Sequence, residues 1–194
     1  MVSAMDGTIE VRWHGRGGQG AKSASAVLAE VLFHEGKYVQ SFPEYGAERQ
    51  GAPIRAYNRV SNRPIRRRCG VENPNIVVVV DPTMIESANP SEGCADDAIY
   101  LVNTALDAGD LRRRLKISDS ARVLAVDATK ITIEELGQNR PNAPILGALS
   151  RVFADVPAEV FADHFTRKMK SLPPKALEAN RRAIMRGRAE ATLA

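Results

Sequence analysis

The segment with the clearest chemical character is a run of glycines near the N-terminus. Four of six consecutive residues are glycine, and Gly15, Gly17 and Gly20 follow the spacing G-x-G-x-x-G. Where such a loop leads from a strand into a helix, its glycines let a phosphate approach the backbone. The amides at the start of the helix then attract the negative charge of the phosphate. Lys22 and Ser23 follow in the first helical turn. The segment therefore predicts a site for a phosphorylated ligand.

Two other phosphate motifs fit this segment less well. A nicotinamide-binding fold needs an acidic residue about 20 positions on, at the end of the next strand, to hold the ribose hydroxyls. The only candidate is Glu44, which lies past Pro43. A Walker-type loop needs glycine directly before Lys22, and Ala21 stands there. A tight turn without a ligand stays open as a further interpretation.

A second polar cluster follows the second predicted strand. It is rich in glycine and proline, and long ordered loops of this kind are often functional. We interpret four of its residues as possible ligand or interface contacts, with an exposed loop of solvated charges as the equal alternative: Glu44, Tyr45, Glu48 and Arg49.

The remaining polar candidates have simpler interpretations. Asp81 and Asp127 each follow a buried strand, and we interpret them as caps of the turns that come next. The three arginines of residues 66–68 are typical of a solvated or interface-facing arm.

The three histidines show no metal-binding pattern. His14 directly precedes the glycine loop, where it could touch a ligand, whereas His34 and His164 are expected as isolated surface residues. Their spacing includes no partnering cysteine or carboxylate, so we expect no metal site.

Composition narrows the class of protein. The 194 residues suffice for one domain, which we place at 8–194 after a frayed leader of 1–7, and no apolar run is long enough to span a membrane. Two cysteines are too few for an iron–sulfur cluster, which usually needs four, and they agree with a reducing cytoplasm. The net charge of +4 with 5% aromatic residues does not favour nucleic-acid binding over an anionic ligand or an acidic partner.

Hydrophobic periodicity predicts an α/β fold. A first strand at 8–13 leads through the glycine loop into a helix at 21–35 ended by Gly36. We predict further strands at 38–42, 54–60, 76–80, 98–102 and 123–126, with 65–69 as a returning hairpin arm. Helices are expected at 110–115 with Asp110 as N-cap, 131–136, 145–153, 158–169 and 175–187. The result is a three-layer domain with a mostly parallel sheet, a hairpin insertion and a helical C-terminal portion.

Four ordered motifs resemble the gamma subunit of pyruvate:ferredoxin oxidoreductase and its 2-oxoacid relatives. They are RWHGRGGQGAKS at 12–23, FPEYGAERQGAP at 42–53, VENP at 71–74 and PILGA at 144–148. The likeness covers roughly residues 8 to 190. The opening motif is more similar to pyruvate or branched-chain members than to the 2-oxoglutarate type.

The resemblance implies a Rossmann-like domain whose glycine loop contributes to coenzyme A binding. It also implies that thiamine diphosphate, magnesium and iron–sulfur clusters lie on alpha-, beta- and delta-type partner subunits, with ferredoxin as the electron acceptor. No catalytic residue is assigned to this chain. The positions that match the loop are Gly15, Gly17, Gly18, Gln19, Gly20, Lys22 and Ser23; Arg16 also matches in place, and its contact is our own hypothesis.

The function implied is a share in the coenzyme A-dependent oxidative decarboxylation of a 2-oxoacid, first of all pyruvate to acetyl-CoA, in anaerobic metabolism. The chain would be inactive alone, cytoplasmic and part of a hetero-oligomer, with no nucleic-acid or membrane partner. Two alternatives stay open: a stand-alone dinucleotide-binding oxidoreductase, and a purely structural interface subunit.

Overall fold

One seven-stranded sheet organises the part of the chain that the structure describes. The computed structural model describes residues 7–44 and 51–193. Its strands run in the spatial order β2-β3-β1-β4-β5-β6-β7. Their bounds are β1 Thr8–Arg16, β2 Tyr38–Glu44, β3 Pro53–Ser61, β4 Ile76–Val79, β5 Ile99–Asn103, β6 Arg122–Val126 and β7 Thr192–Leu193.

The centre of the sheet is parallel and its edges are antiparallel. β1, β4, β5 and β6 pair in parallel, with Trp13 opposite Val78 and Val78 opposite Leu101. β3 runs antiparallel between β1 and β2, and β7 runs antiparallel to β6. The central strands are almost entirely buried because helices cover both faces of a parallel sheet. The predicted α/β class is confirmed.

Seven helices within the described residues form the two outer layers. They are α1 Ala21–His34, α2 Met84–Ser87, α3 Ala108–Leu115, α4 Ala128–Leu136, α5 Asn142–Leu149, α6 Ala158–Lys168 and α7 Pro174–Glu190. The larger core joins one sheet face to α1 and to α4 through α7, with Trp13 and Phe161 fully buried. The smaller core lies on the opposite face, where Leu111 and Leu115 of α3 pack on Tyr100.

Local capping chemistry corrects several predicted boundaries. The N-cap of α3 is Asp107, not Asp110, because the Asp107 side chain accepts a hydrogen bond from the Asp110 amide at 2.9 Å. Asp127 caps α4 in the same way through the Lys130 amide, so α4 begins three residues earlier than predicted. The interpretation of Asp127 as a cap is confirmed. Two short elements, α2 and β7, escaped prediction because neither has a full period of its pattern.

The predicted hairpin arm at 65–69 is wrong. This segment is irregular, and the antiparallel partner of β3 at the edge is β2 instead. The segment serves another role, since the Cys69 and Gly70 carbonyls each accept a 2.8 Å hydrogen bond from the guanidinium of Arg59, which is 1% exposed. These hydrogen bonds satisfy the buried cation and thereby hold the segment against the sheet. The arginines of 66–68 are exposed, as expected.

The VENP motif also has a structural role. The buried Arg12 guanidinium donates to the carbonyls of Glu72, Pro90 and Glu92, at 3.3, 3.1 and 2.5 Å. Arg12 thereby fastens two irregular segments to the sheet. Among the described residues, no helix is both long and apolar enough to cross a membrane.

Candidate functional site

The glycine loop begins later than the sequence predicts. β1 continues through Gly15 to Arg16, so Gly15 is a buried strand residue paired with Ile54 and not part of the loop itself. A side chain at Gly15 would approach Ala21 and Val80 at 3.2 and 3.3 Å. Gly15 is therefore required for the close packing of strand and helix.

The loop joins α1 at a residue with a left-handed backbone conformation. Gly20 is the N-cap of α1 at φ 83°, and it offers no side chain to bond the first helical amides. Helix geometry leaves the amides of the first turn without intrahelical acceptors, and the helix dipole adds partial positive charge there. The N-terminal end of α1 therefore favours the binding of an anion.

A partly exposed polar network holds the loop on the side of Asp81. The Gln19 side chain accepts from the Arg16 amide at 2.9 Å and donates to Asp81 at 2.5 Å. The Arg16 guanidinium donates to the Thr83 hydroxyl and lies 3.6 Å from the Asp81 carboxylate. Since Asp81 follows β4, the network ties the ends of β1 and β4 together. In open α/β sheets, ligands bind where neighbouring connections leave to opposite faces, as they do after these two strands.

Asp81 is ionised in this network. Burial alone would raise its pKa, but hydrogen bonds from Thr83 and Gln19 and the Arg16 charge outweigh it and hold the pKa below its usual range. The Asp81 carboxylate also accepts from the Thr83 amide at 2.9 Å. The interpretation of Asp81 as a cap is confirmed, and its bond to Gln19 gives it a second role.

A cleft of about 630 Å³ opens beside the glycine loop. This volume is within the usual range for sites of small ligands and cofactors. One wall is the loop and the first turn of α1, and the other comes from α6, α7 and the connection between α4 and α5. Its lining residues are Gly17, Gly18, Gly20, Ala21, Lys22, Ser23, Ile54, Leu136, Gln138, Arg140, Asn142, Phe165, Met169, Leu172, Ala176 and Asn180.

The lining of the cleft combines positive charges with apolar side chains. Lys22 and Arg140 carry positive charge, and no described residue of the lining is a carboxylate. Phe165, Met169 and Leu172 supply the apolar side. The arrangement suits a ligand that combines phosphate groups with an extended apolar or aromatic portion.

The structure divides the predicted loop residues into two groups. Gly17, Gly18, Gly20, Lys22 and Ser23 line the cleft. Gly15, Arg16 and Gln19 do not, because the strand and the Asp81 network hold them.

Of the second predicted cluster, only Glu44 lies within the described residues, and it does not line the cleft. Glu44 ends β2 and accepts a hydrogen bond from the Tyr57 hydroxyl. Tyr45, Glu48 and Arg49 lie outside the described residues.

The sequence gives little signal for the opposite wall of the cleft. Phe165 and Asn180 lie in the helices predicted at 158–169 and 175–187, and Asn142 lies just before the helix predicted at 145–153. None of the three was predicted as a site residue. Asn142 lies two residues before the PILGA segment, so that motif was the available clue. Nothing local indicates that these helices return to the glycine loop.

His14 is buried on the opposite face of β1, away from the cleft lining. His14 is 1% exposed, and neither of its ring nitrogens has a hydrogen-bond partner within the described part of the chain. Burial first, and then the charges of Arg12 and Arg55, lower the His14 pKa to about 3. The imidazole is therefore neutral across the physiological range.

This neutral imidazole predicts a pH-dependent stability. Below pH about 6.5 the unfolded chain takes up a proton at His14 that the folded chain refuses until about pH 3, so stability falls as pH falls through this window. The effect is at most roughly 1.4 kcal/mol per pH unit. Urea unfolding between pH 7 and 4 should show a shallower pH dependence for His14→Asn than for the wild type. Equal slopes would contradict the assignment.

His34 is exposed, as expected, but the two histidines are not isolated, and His164 is not a surface residue. His164 is buried, and its ring centroid lies 4.8 Å from that of His34. Helix packing between α1 and α6 brings the two rings together, which their separation in sequence conceals.

Comparison with known proteins decides the family. Residues 10–190 match the family model described as pyruvate ferredoxin/flavodoxin oxidoreductase. The chain belongs to this family. It is 48% identical over 180 residues to pyruvate synthase subunit PorC of Thermotoga maritima, with 92% of each chain covered. It is 45% identical over 143 residues to the common gamma subunit of pyruvate/ketoisovalerate oxidoreductases of Pyrococcus furiosus, covering 74% of this chain and 77% of that one.

Solved structures of the family share the fold. The crystal structure of the PORC subunit of pyruvate oxidoreductase from Thermotoga maritima superposes with a TM-score of 0.82 at 45% identity, covering 96% of this chain and 98% of that one. The 2-oxoglutarate:ferredoxin oxidoreductase of Magnetococcus marinus, solved with 2-oxoglutarate, coenzyme A and succinyl-CoA, matches with a TM-score of 0.75 at 18% identity, over 94% of this chain and 30% of that one. The resemblance to gamma subunits is confirmed, and the chain is a subunit of a pyruvate-type oxidoreductase.

Proposed function

We propose that this subunit binds coenzyme A in the cleft beside the glycine loop. The observation that carries the proposal is the first turn of α1, which has no side-chain cap and lines a cleft that also contains Lys22 and Arg140. Coenzyme A has anionic phosphates, an adenine ring and a long pantetheine arm. The helix amides and the two cations suit the phosphates, and the wall of Phe165, Met169 and Leu172 suits the rest.

The subunit would contribute by positioning. Binding energy gained at the nucleotide end, remote from the reacting thiol, holds the thiol near the acyl group that the partner subunits present. In this proposal thiamine diphosphate, magnesium and iron–sulfur clusters reside on alpha-, beta- and delta-type partners, and ferredoxin accepts the electrons. We place the complex in the cytoplasm, with residues 8–194 of this chain as one domain and no activity in the chain alone. Coenzyme A as the ligand is supported by the 2-oxoglutarate:ferredoxin oxidoreductase of Magnetococcus marinus, which shares this fold and was solved with coenzyme A bound.

The alternative of a stand-alone nicotinamide-dependent enzyme has less support. In the dinucleotide fold, the acidic residue that holds the ribose ends the strand beside the first one. Here β3 lies between β1 and β2, so Glu44 is two strands from the glycine loop, about 10 Å by the usual strand spacing. Its carboxylate is already the acceptor of the Tyr57 hydroxyl. If the isolated chain changed NADH fluorescence on mixing, this alternative would be favoured.

Lys22→Ala should weaken coenzyme A binding by the assembled complex about fivefold, as expected for one exposed charge contact with a phosphate. The measurement is a coenzyme A titration at fixed salt. Lys37→Ala is the matched control, because Lys37 follows the opposite end of α1, where it donates to Asn62.

The control should bind coenzyme A like the wild type. Equal affinities for Lys22→Ala and wild type would remove Lys22 from the site. If loop variants still assembled with partner subunits while coenzyme A affinity stayed unchanged, the structural interface role would be favoured.

A further inference from the structure

Two imidazoles and a carboxylate converge between α1 and α6, at a place the proposed coenzyme A site does not use. Glu30 and His34 stand four residues apart and therefore share one face of α1. His164 faces them from α6. One possible ligand atom from each of the three side chains lies within 4.8 Å of the others.

Contacts among the three side chains already hold them close together. The His164 Nδ1 atom lies 3.3 Å from Glu30 Oε1, and the His164 residue is 6% exposed. The rings of His34 and His164 are tilted by 46° with their centroids 4.8 Å apart. Lys168 Nζ lies 3.6 Å from the other Glu30 oxygen, which leaves Oε1 facing the histidines. A buried imidazole held by a carboxylate has little freedom left to lose on binding a metal.

We propose that Glu30, His34 and His164 form a binding site for a zinc-type divalent transition metal ion. Tetrahedral zinc with bonds of about 2.0–2.1 Å separates its ligand atoms by about 3.3 Å. The His164–Glu30 pair already has this separation. The ligand atom of His34 lies within 4.8 Å of the other two, and because the His34 side chain is exposed, it is free to rotate toward the separation of about 3.3 Å that zinc requires.

The ligand set indicates the class of metal. Two imidazole nitrogens and one carboxylate oxygen suit zinc and its neighbours, whereas calcium and magnesium prefer an all-oxygen shell. Three protein ligands leave a fourth position for water. The ion would cross-link α1 to α6, and because Phe165 of α6 lines the cleft, it would also fix one cleft wall relative to the glycine loop.

The test is a titration of the metal-stripped, tag-free full-length chain with Zn²⁺, followed by calorimetry, and with Co²⁺, followed by its visible absorption. The titrations use the Cys69→Ser background, because the exposed Cys69 thiol is a competing zinc ligand. We expect one site per chain, a tetrahedral Co²⁺ spectrum and a rise in melting temperature with Zn²⁺.

Variants separate this site from accidental binding. His34→Ala and Glu30→Gln should each lower Zn²⁺ affinity roughly tenfold or more, since even residues that only support ligands contribute 10- to 100-fold. Glu35→Gln is the matched control: it removes an exposed carboxylate one residue from His34 and should bind Zn²⁺ like the parent. Absence of saturable binding, or affinity that both ligand variants leave intact, overturns the proposal. His34 is exposed, so its variant should fold and keep the test decisive.

Discussion

Gly20→Ala is expected to lower the coenzyme A affinity of the assembled complex more than about tenfold, the largest effect of any single methyl group in the loop. Gly20 has φ 83°, which costs a residue with a side chain roughly 1–2 kcal/mol. The added Cβ would also lie 2.6–2.9 Å from the Nδ2, Cγ and Cβ atoms of Asn142. Because one of these atoms is Cβ, a simple rotation of the Asn142 side chain cannot relieve the contact. The loop or the start of α5 must shift, and both line the cleft.

Gly36→Ala is the matched control for this change. Gly36 has a similar φ of 78°, so alanine there meets the same backbone penalty, but no atom lies within 4 Å of the added Cβ. Gly36 follows the opposite end of α1 from the glycine loop. Both variants should therefore lose stability, and only Gly20→Ala should lose coenzyme A affinity. Equal affinity in the two variants would show that the loop is a turn without a ligand.

Gly187→Ala should lower the melting temperature by about 5 °C or more. In an ordinary helix position this change stabilises by roughly 0.5–1 kcal/mol. Here α7 crosses α5 so closely that the added Cβ would lie 2.6 Å from the backbone Cα and carbonyl carbon of Pro144. Backbone atoms cannot move aside cheaply, and overpacking of this kind costs about 3 kcal/mol at the upper end of its usual range. At about 2–4 °C per kcal/mol for a chain of this size, the loss is easily measured.

Gly70→Ala controls for the Gly187 change. It adds the same methyl group where nothing lies within 4 Å and where φ is not positive, so its effect should stay within about 0.5 kcal/mol. Gly147 is the corresponding residue of α5, since a Cβ there would lie 2.7 Å from the Ile184 carbonyl carbon of α7. A Gly187→Ala protein as stable as the wild type would mean that the two helices do not pack at this distance.

The order of strands and helices was predictable because each element shows its own periodicity of apolar residues. Ile76 and the four valines that follow it indicate a strand covered on both faces, and the apolar stripe of α1 indicates a helix covered on one. The boundaries were less accurate, because they depend on a single hydrogen bond such as that from the Asp110 amide to Asp107. The hairpin arm predicted at 65–69 has no neighbour to pair with, since β2 takes the edge position beside β3. Pairing is a tertiary property that this segment does not encode.

The candidate site was half predictable for the same reason. The glycine loop, Lys22 and Ser23 form one continuous segment, and their spacing carries a chemical meaning by itself. Asn142, Phe165 and Asn180 reach the cleft only because α5 to α7 fold back over α1. The meeting of Glu30, His34 and His164 likewise depends on how α1 and α6 pack. In contrast, Gln19 belongs to the motif but faces Asp81, and only the folded chain distinguishes residues that line the cleft from residues that brace the loop.

The central claim is tested most directly by determining the structure of the assembled oxidoreductase with coenzyme A bound. The account predicts that phosphate oxygens of coenzyme A lie within hydrogen-bond distance of the first-turn amides of α1, with Lys22 beside them. The adenine or the pantetheine arm should then run along Phe165 and Met169. Coenzyme A bound entirely by other subunits, with the first turn of α1 facing solvent or another protein chain, would contradict the account.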